Sequence, residues 1–209
     1  MIYLLSDKKI DGVVNIPRLD TVFLRPNIDL SKYNSLIFTS KKAVQAMEGL
    51  ELPWRQKHIF TIGEATTDFV KSLGASVYYQ SNTGYGEEFA KEIIKKYPFG
   101  KYLHCRAKEV ATDLTAILKK SGIFIDSAIV YKTECQKTSS DAIEKNSVII
   151  FTSPKIADCF FKFYKWNESL KAVCIGKTTK KAMPKDIEVF LPQEATIKSA
   201  LELSKELQD

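Results

Sequence analysis

The chain repeats itself. Ile37-Phe38-Thr39-Ser40 recurs as Ile150-Phe151-Thr152-Ser153, displaced by 113 residues. Ile62-Gly63-Glu64-Ala65-Thr66 recurs at the same displacement as Ile175-Gly176-Lys177-Thr178-Thr179, and Thr83 finds Thr196. Two motifs and a threonine at one constant offset mark two copies of one unit, about Leu36–Lys95 and Ile149–Gln208. Solenoid repeats are shorter, roughly 20–50 residues. A single pair at this spacing is a duplicated half-protein.

Each copy reads as strand then helix, three times over. Leu36–Phe38 is a short apolar run bounded by turn signals, as a buried strand should be, and Thr39-Ser40 supplies cap chemistry for a helix through Met47. His58–Ile62 is the next strand, Gly63 the turn, and Ala65–Leu73 a helix closed by Gly74. Val77–Tyr79 is a strand and Glu87–Lys96 an amphipathic helix. The second copy predicts strands at Val148–Phe151, Ala172–Ile175 and Glu188–Leu191. Its helices fall at Pro154–Tyr164, Thr178–Ala182 and Ile197–Leu207, with Pro154 well placed in a first turn.

Outside the copies, Ile2–Leu5 and Val13–Ile16 read as strands and Leu19–Leu24 as an extended crossing segment. Tyr102–Cys105 is a strand, Glu109–Lys120 a helix with Val110, Leu114, Ile117 and Leu118 on its apolar face, and Ile123–Tyr131 a long strand. Glu134–Lys145 is polar, a linker or surface loop. Short buried strands alternating with helices predict parallel sheets covered on both faces. The expected fold is α/β: two flavodoxin-like lobes, each with five strand signals, related by the internal repeat.

Composition narrows the chemistry. Among 209 residues, 31 Lys+Arg against 25 Asp+Glu leave a formal charge of +6, a mild excess with no basic block of the kind nucleic-acid binders concentrate. It would raise the local concentration of a polyanionic small molecule, or simply be a solvated lysine surface. Cys105, Cys135, Cys159 and Cys174 show no C-x-x-C spacing and lie mostly in apolar surroundings, which favours core thiols in a reducing compartment over disulfides or zinc. His58 and His104 alone argue against a histidine metal site. No apolar run approaches the roughly 18 residues of a spanning helix, and Met1–Asp7 does not read as a signal peptide. A cytoplasmic protein is expected, without a metal site and without a nucleic-acid or membrane partner.

In parallel sheets ligands bind outside the carboxyl ends of the strands. The repeat puts hydroxyls there: Thr39, Ser40 and Thr66 in one half, Thr152, Ser153, Thr178 and Thr179 in the other. Helix starts favour anions, although Ser and Thr at such places are often only caps. No P-loop, G-x-G-x-x-G or G-x-S-x-G is present. Asp7 ends the first strand without an acidic neighbour pair and reads as a turn residue. Tyr131 ends the long strand; it is either half-buried packing or a phenol able to give a proton to a leaving group. Arg106 follows a strand and is either solvated or free to pair with a carboxylate.

The ordered set of motifs resembles the uroporphyrinogen-III synthase family. The pieces that carry it are Leu36-Ile37-Phe38-Thr39-Ser40 with Ala43-Val44, Ile62-Gly63-Glu64-Ala65-Thr66, Arg106 and its helix leading to Ile129-Val130-Tyr131-Lys132-Thr133, Phe151-Thr152-Ser153-Pro154, and Ile175-Gly176-Lys177-Thr178-Thr179. The resemblance implies one lobe of 1–17 plus 134–209 and another of 18–133, joined by a two-segment linker near Pro17–Leu24 and Tyr131–Gln136. It implies a monomer that binds hydroxymethylbilane, a linear tetrapyrrole with eight carboxylates, between its lobes. The terminal hydroxyl leaves as water, and the chain closes through a spiro intermediate with its last ring inverted, without a cofactor. Tyr131 is then the catalytic candidate. Thr39, Ser40, Gly63, Thr66, Arg106, Ser153, Thr178 and Thr179 are the substrate-binding candidates. The rival readings are a non-catalytic two-lobed anion-binding module and a flavodoxin-type FMN carrier. One departure from the family is plain: only Lys8–Gly12 separates the first two strands, where relatives carry a full helix.

Overall fold

A computed structural model describes residues 1–6, 8–136 and 143–208. Asp7 and the middle of the 134–145 linker lie outside the described residues. In chain order the elements are β1 (Ile2–Leu5), β2 (Val14–Asn15), β3 (Leu19–Phe23), β4 (Ser35–Phe38), α1 (Lys41–Glu48), β5 (His58–Ile62), α2 (Glu64–Ser72), β6 (Val77–Ser81), α3 (Gly86–Lys96), β7 (Lys101–Ala107), α4 (Leu114–Lys120), β8 (Phe124–Cys135), β9 (Val148–Phe151), α5 (Pro154–Phe163), β10 (Lys171–Cys174), α6 (Lys177–Lys180), β11 (Val189–Phe190) and α7 (Ile197–Glu206). They group into two compact units, Met1–Asp20 with Glu134–Asp209, and Thr21–Thr133.

The first unit holds a five-stranded sheet in the order β11-β10-β9-β1-β2, every pair parallel. Numbered by its own strands this is 2-1-3-4-5, the flavodoxin-like order. The central strands β1 and β9 are apolar without interruption, Ile2-Tyr3-Leu4-Leu5 and Val148-Ile149-Ile150-Phe151, and buried throughout, as a sheet covered on both faces requires. One face packs Phe151, Phe160 and Ile156 under α5; the other packs Leu4, Ile150 and Ala200 under α7. Among the described residues no helix intervenes between β1 and β2. Gly12, at φ +80°, turns the chain. Asn15 holds the loop through its side chain, accepting from Ile10 N–H at 3.3 Å and donating to the carbonyls of Ile10 at 3.0 Å and Val13 at 3.3 Å.

The second unit holds a six-stranded sheet in the order β3-β8-β7-β4-β5-β6. Leaving aside β3, which joins as an extra edge strand, its spatial order repeats that of the first unit. β4, β5 and β6 stand where β9, β10 and β11 stand, and β7 and β8 stand where β1 and β2 stand. The first unit begins with the strand pair that the second ends with. β3 runs antiparallel to β8: Leu24 N–H donates to Val130 O and Gln136 N–H to Arg18 O, each at 2.8 Å. α1 and α2 cover one face over Phe38, Val44 and Trp54; α3 and α4 cover the other over Ile37, Phe60 and Phe89.

Three readings need correction. The helix expected from Glu109 starts at Leu114, because the Asp113 carboxylate accepts from Ala116 N–H and caps it there; Val110 stands 37% exposed in a loop instead of on an apolar helix face. β8 runs on past Tyr131 to Cys135. And the four cysteines are not all thiols: Cys135 and Cys159 are joined in a disulfide, since the extended β8 brings its last residue to the buried side of α5. Cys105 and Cys174 are buried free thiols. Burial pushes Cys174 up to about 12 and Cys105 up as well, so both are inert packing groups.

Candidate functional site

The order of the second sheet creates one special place. From β4 the chain winds outward through β5 and β6, then crosses back to β7 on the other side of β4. Helices leave the sheet toward opposite faces at this point, and the crevice they open at the strand carboxyl ends is where doubly wound sheets bind ligands.

A cavity of about 350 Å³ occupies that crevice. Thr39 and Ser40 enter from the end of β4, Ile62 from β5, His104 and Ala107 from β7, and Tyr131 from β8. Its cover is Gly84-Tyr85-Gly86 at the start of α3 and the Glu109–Thr112 loop that replaces the expected helix start. Gly86 packs closely there: a Cβ would sit 3.0 Å from Cβ of Thr112, which would have to give by a few tenths of an ångström.

Ser40 and Tyr131 are built together. Ser40 is the N-cap of α1, its Oγ accepting from Ala43 N–H at 3.2 Å. The same Oγ lies 2.9 Å from the Tyr131 hydroxyl. Either hydroxyl can donate in this pair, and when Ser40 donates the phenol proton is left to point elsewhere. Tyr131 is 9% exposed, its ring packed in the α1–α2 core. A phenol held at a cavity wall, near the positive end of a helix, can give a proton to a departing oxygen.

The other predicted residues fall around this group or away from it. Arg106 lies next to the cavity residues of β7, but its Nη1 donates to the carbonyls of Ala107 at 3.0 Å and Lys108 at 3.2 Å, bracing the loop. Gly63 takes φ +74° to start α2. Thr66 is buried one turn on, beside Thr67, whose hydroxyl is 2.6 Å from that of Thr61. In the first unit Ser153 caps α5, accepting from Ile156 N–H at 3.3 Å, and Thr152 Oγ1 donates to Leu5 O at 2.8 Å. Thr178 is exposed and Thr179 buried in the single turn of α6. Among the described residues no three His, Cys, Asp or Glu side chains gather to hold a metal, and no helix is long and apolar enough to cross a membrane.

A family model described as uroporphyrinogen-III synthase HemD matches residues 12–202. The chain belongs to the uroporphyrinogen-III synthase family. The porphyrin biosynthesis protein HemD of Ruminiclostridium josui is 26% identical over 207 residues, an overlap of 91% of this chain and 41% of that protein. The chain thus spans about two fifths of the length of this curated relative. Among solved structures, uroporphyrinogen-III synthetase from Helicobacter pylori superposes with a TM-score of 0.75 at 23% identity, covering 99% of this chain and 98% of that one. A mutant uroporphyrinogen III synthase from Thermus thermophilus gives 0.51 at 11% identity, covering 99% and 97%. These likenesses establish the two-lobed α/β fold of the synthase family.

His104 is the cavity residue that sequence reasoning passed over. Its signal was a polar side chain inside the run Tyr102-Leu103-His104-Cys105. The ring is 1% exposed. Burial, and then the nearby charge of Arg106, lower its pKa to about 4, with Asp113 opposing. The unfolded chain therefore takes up a proton between pH 6.5 and about 4 that the folded protein refuses. This contribution to stability is full above pH 6.5 and is lost as pH falls through that window. The expected total is about 3 kcal/mol. Urea unfolding at several pH values checks it, and the slope over this window should flatten when His104 is replaced by leucine.

Proposed function

We propose that this protein is a uroporphyrinogen-III synthase, which closes hydroxymethylbilane into uroporphyrinogen III. Family membership over nearly the whole chain supports the reading. The single structural observation that carries it is the Tyr131 hydroxyl, held 2.9 Å from the capping Ser40 in a cavity at the switch point of the sheet.

The chemistry needs little machinery. A pyrrole nitrogen pushes electrons toward the terminal hydroxymethyl carbon, the C–O bond breaks, and the departing hydroxyl takes the Tyr131 proton to leave as water. The resulting cation is attacked by a ring carbon at the far end of the bilane. The spiro intermediate rearranges with the last ring inverted, and the ring proton released on closure restores the phenol. Holding a reactive chain in one fold supplies the remainder, since positioning alone can be worth several orders of magnitude.

Substrate carboxylates are received at the strand ends, by Thr39 and Ser40 at the start of α1, by Gly63, Thr66 and Arg106 beside them, and by Ser153, Thr178 and Thr179 at the equivalent edge of the first unit. In this reading the enzyme acts without a cofactor, as a cytoplasmic monomer with no nucleic-acid or membrane partner.

Hydroxymethylbilane left alone closes without inversion, to isomer I. The expected result on adding the protein is isomer III as the main product, resolved chromatographically after oxidation to the porphyrins. A product that stays isomer I at stoichiometric protein ends the proposal and leaves a binding module.

A further inference from the structure

His104 has one satisfied nitrogen and one that is not. Nδ1 lies 3.1 Å from Thr115 Oγ1 of α4. Nε2 is buried and has no hydrogen-bond partner. An imidazole nitrogen left unpaired inside a protein forgoes a hydrogen bond it had in water, and an orphan of this kind calls for a reason.

The fold does not supply the reason. The register Ile37↔His104 in the second sheet corresponds to Ile150↔Leu4 in the first, with Ile37 and Ile150 at the same place in the internal repeat. Leu4 is fully buried under α7. The same seat in the sister unit is thus filled by an apolar side chain of similar size, with nothing left unpaired. The seat in the second unit lines the cavity.

The proton can be assigned from the partners. The Thr115 hydroxyl has His104 Nδ1 as its only hydrogen-bond partner among the described residues, so donating to Nδ1 satisfies both groups. Nε2 then carries the ring proton and is a lone donor. The opposite tautomer would strand two groups in place of one. A buried N–H beside a cavity recognises an acceptor, and a carboxylate is the acceptor a polycarboxylate substrate offers.

We infer that His104 is a substrate-binding residue, its Nε2–H donating a hydrogen bond to a carboxylate of the tetrapyrrole lodged in the cavity of the second unit. The inference rests on the synthase reading for the identity of that ligand. The imidazole acts as a neutral donor. Arg106 and Asp113 bear on the ring from β7 and the approach to α4 with opposing effects, and Glu109 on the exposed rim is engaged within the protein.

His104→Leu tests this in the full-length protein, with Leu4 as the precedent for folding. The expected result is a KM for hydroxymethylbilane raised about tenfold or more, the worth of a hydrogen bond to a charged group, with kcat changed less than threefold. The thermal midpoint should hold or rise, because an orphan donor has been removed. His104→Gln keeps an N–H at a similar reach and should recover much of the KM. A KM within twofold of wild type for the leucine variant overturns the inference, as does a KM raised equally by leucine and glutamine. Binding of uroporphyrin, an octacarboxylate, is measured in parallel by fluorescence. If wild-type protein makes no isomer III yet binds uroporphyrin in a His104-dependent way, the synthase reading falls and the His104 contact stands. If isomer III forms normally in both proteins, only the His104 inference falls.

Discussion

Replacing Tyr131 with phenylalanine should lower kcat by about 10²–10⁴, the usual worth of a positioned general acid. The substitution removes one oxygen and little else. The ring stays packed among Phe38, Val130 and the α1–α2 residues. Ser40 keeps its role as cap, because that bond is to Ala43 N–H. Folding and the shape of the cavity are therefore preserved, and the loss reports on departure of the hydroxyl. On the proposed mechanism the phenol acts on the breaking bond more than on the bound ground state, so KM should move much less than kcat. Initial rates of isomer III formation, with the isomers separated, give the answer. A fall below about threefold would mean that the phenol is packing and that the held conformation of the substrate alone drives closure.

Opening the Cys135–Cys159 disulfide has the largest expected effect on stability. The bond closes a loop across a sequence separation of 24, for which the loss of unfolded-chain entropy is worth about 3 kcal/mol. For a protein of this size that corresponds to a fall of about 6–12 °C in Tm. Thermal unfolding with and without reductant measures it, and the Cys135→Ser, Cys159→Ser double variant should be indifferent to reductant. Equal midpoints for the wild-type protein under both conditions would show that the cross-link adds nothing. The result also bears on compartment. Reducing cytosol keeps such pairs as thiols, and there the protein would have to stand without this increment.

The internal repeat made most of the strands and helices legible, because each copy carries its own apolar run, turn and cap. Ser40 and Ser153 do in space what their position before a helix implies. The order of strands was harder to read. It depends on which side of β4 the chain returns to after α3, a matter of three-dimensional crossover that no local pattern records. α4 was anticipated too early because Val110 fits a helical period, while the decisive signal was the capping carboxylate of Asp113. The disulfide was missed because β8 was expected to stop at Tyr131; four more residues of strand bring Cys135 to α5. At the site, Thr39, Ser40 and Tyr131 could be nominated from motifs, and the cavity gathers all three. His104 could not, since a lone histidine in an apolar strand becomes informative only when its unpaired nitrogen and its neighbours are seen.

The interleaving of the two units sets an order of events during synthesis. The central neighbours β1 and β9 of the first sheet are separated by the entire second unit in the sequence, so during synthesis β1 has β2 beside it but must wait for β9. The second unit needs nothing from outside Thr21–Thr133 to complete its own sheet beyond the shared edge strands. It can condense as soon as it emerges, as domains generally do. Nascent chains arrested shortly after Thr133 has cleared the exit tunnel should already resist protease across the inserted segment, while Met1–Asp20 remains open to cleavage.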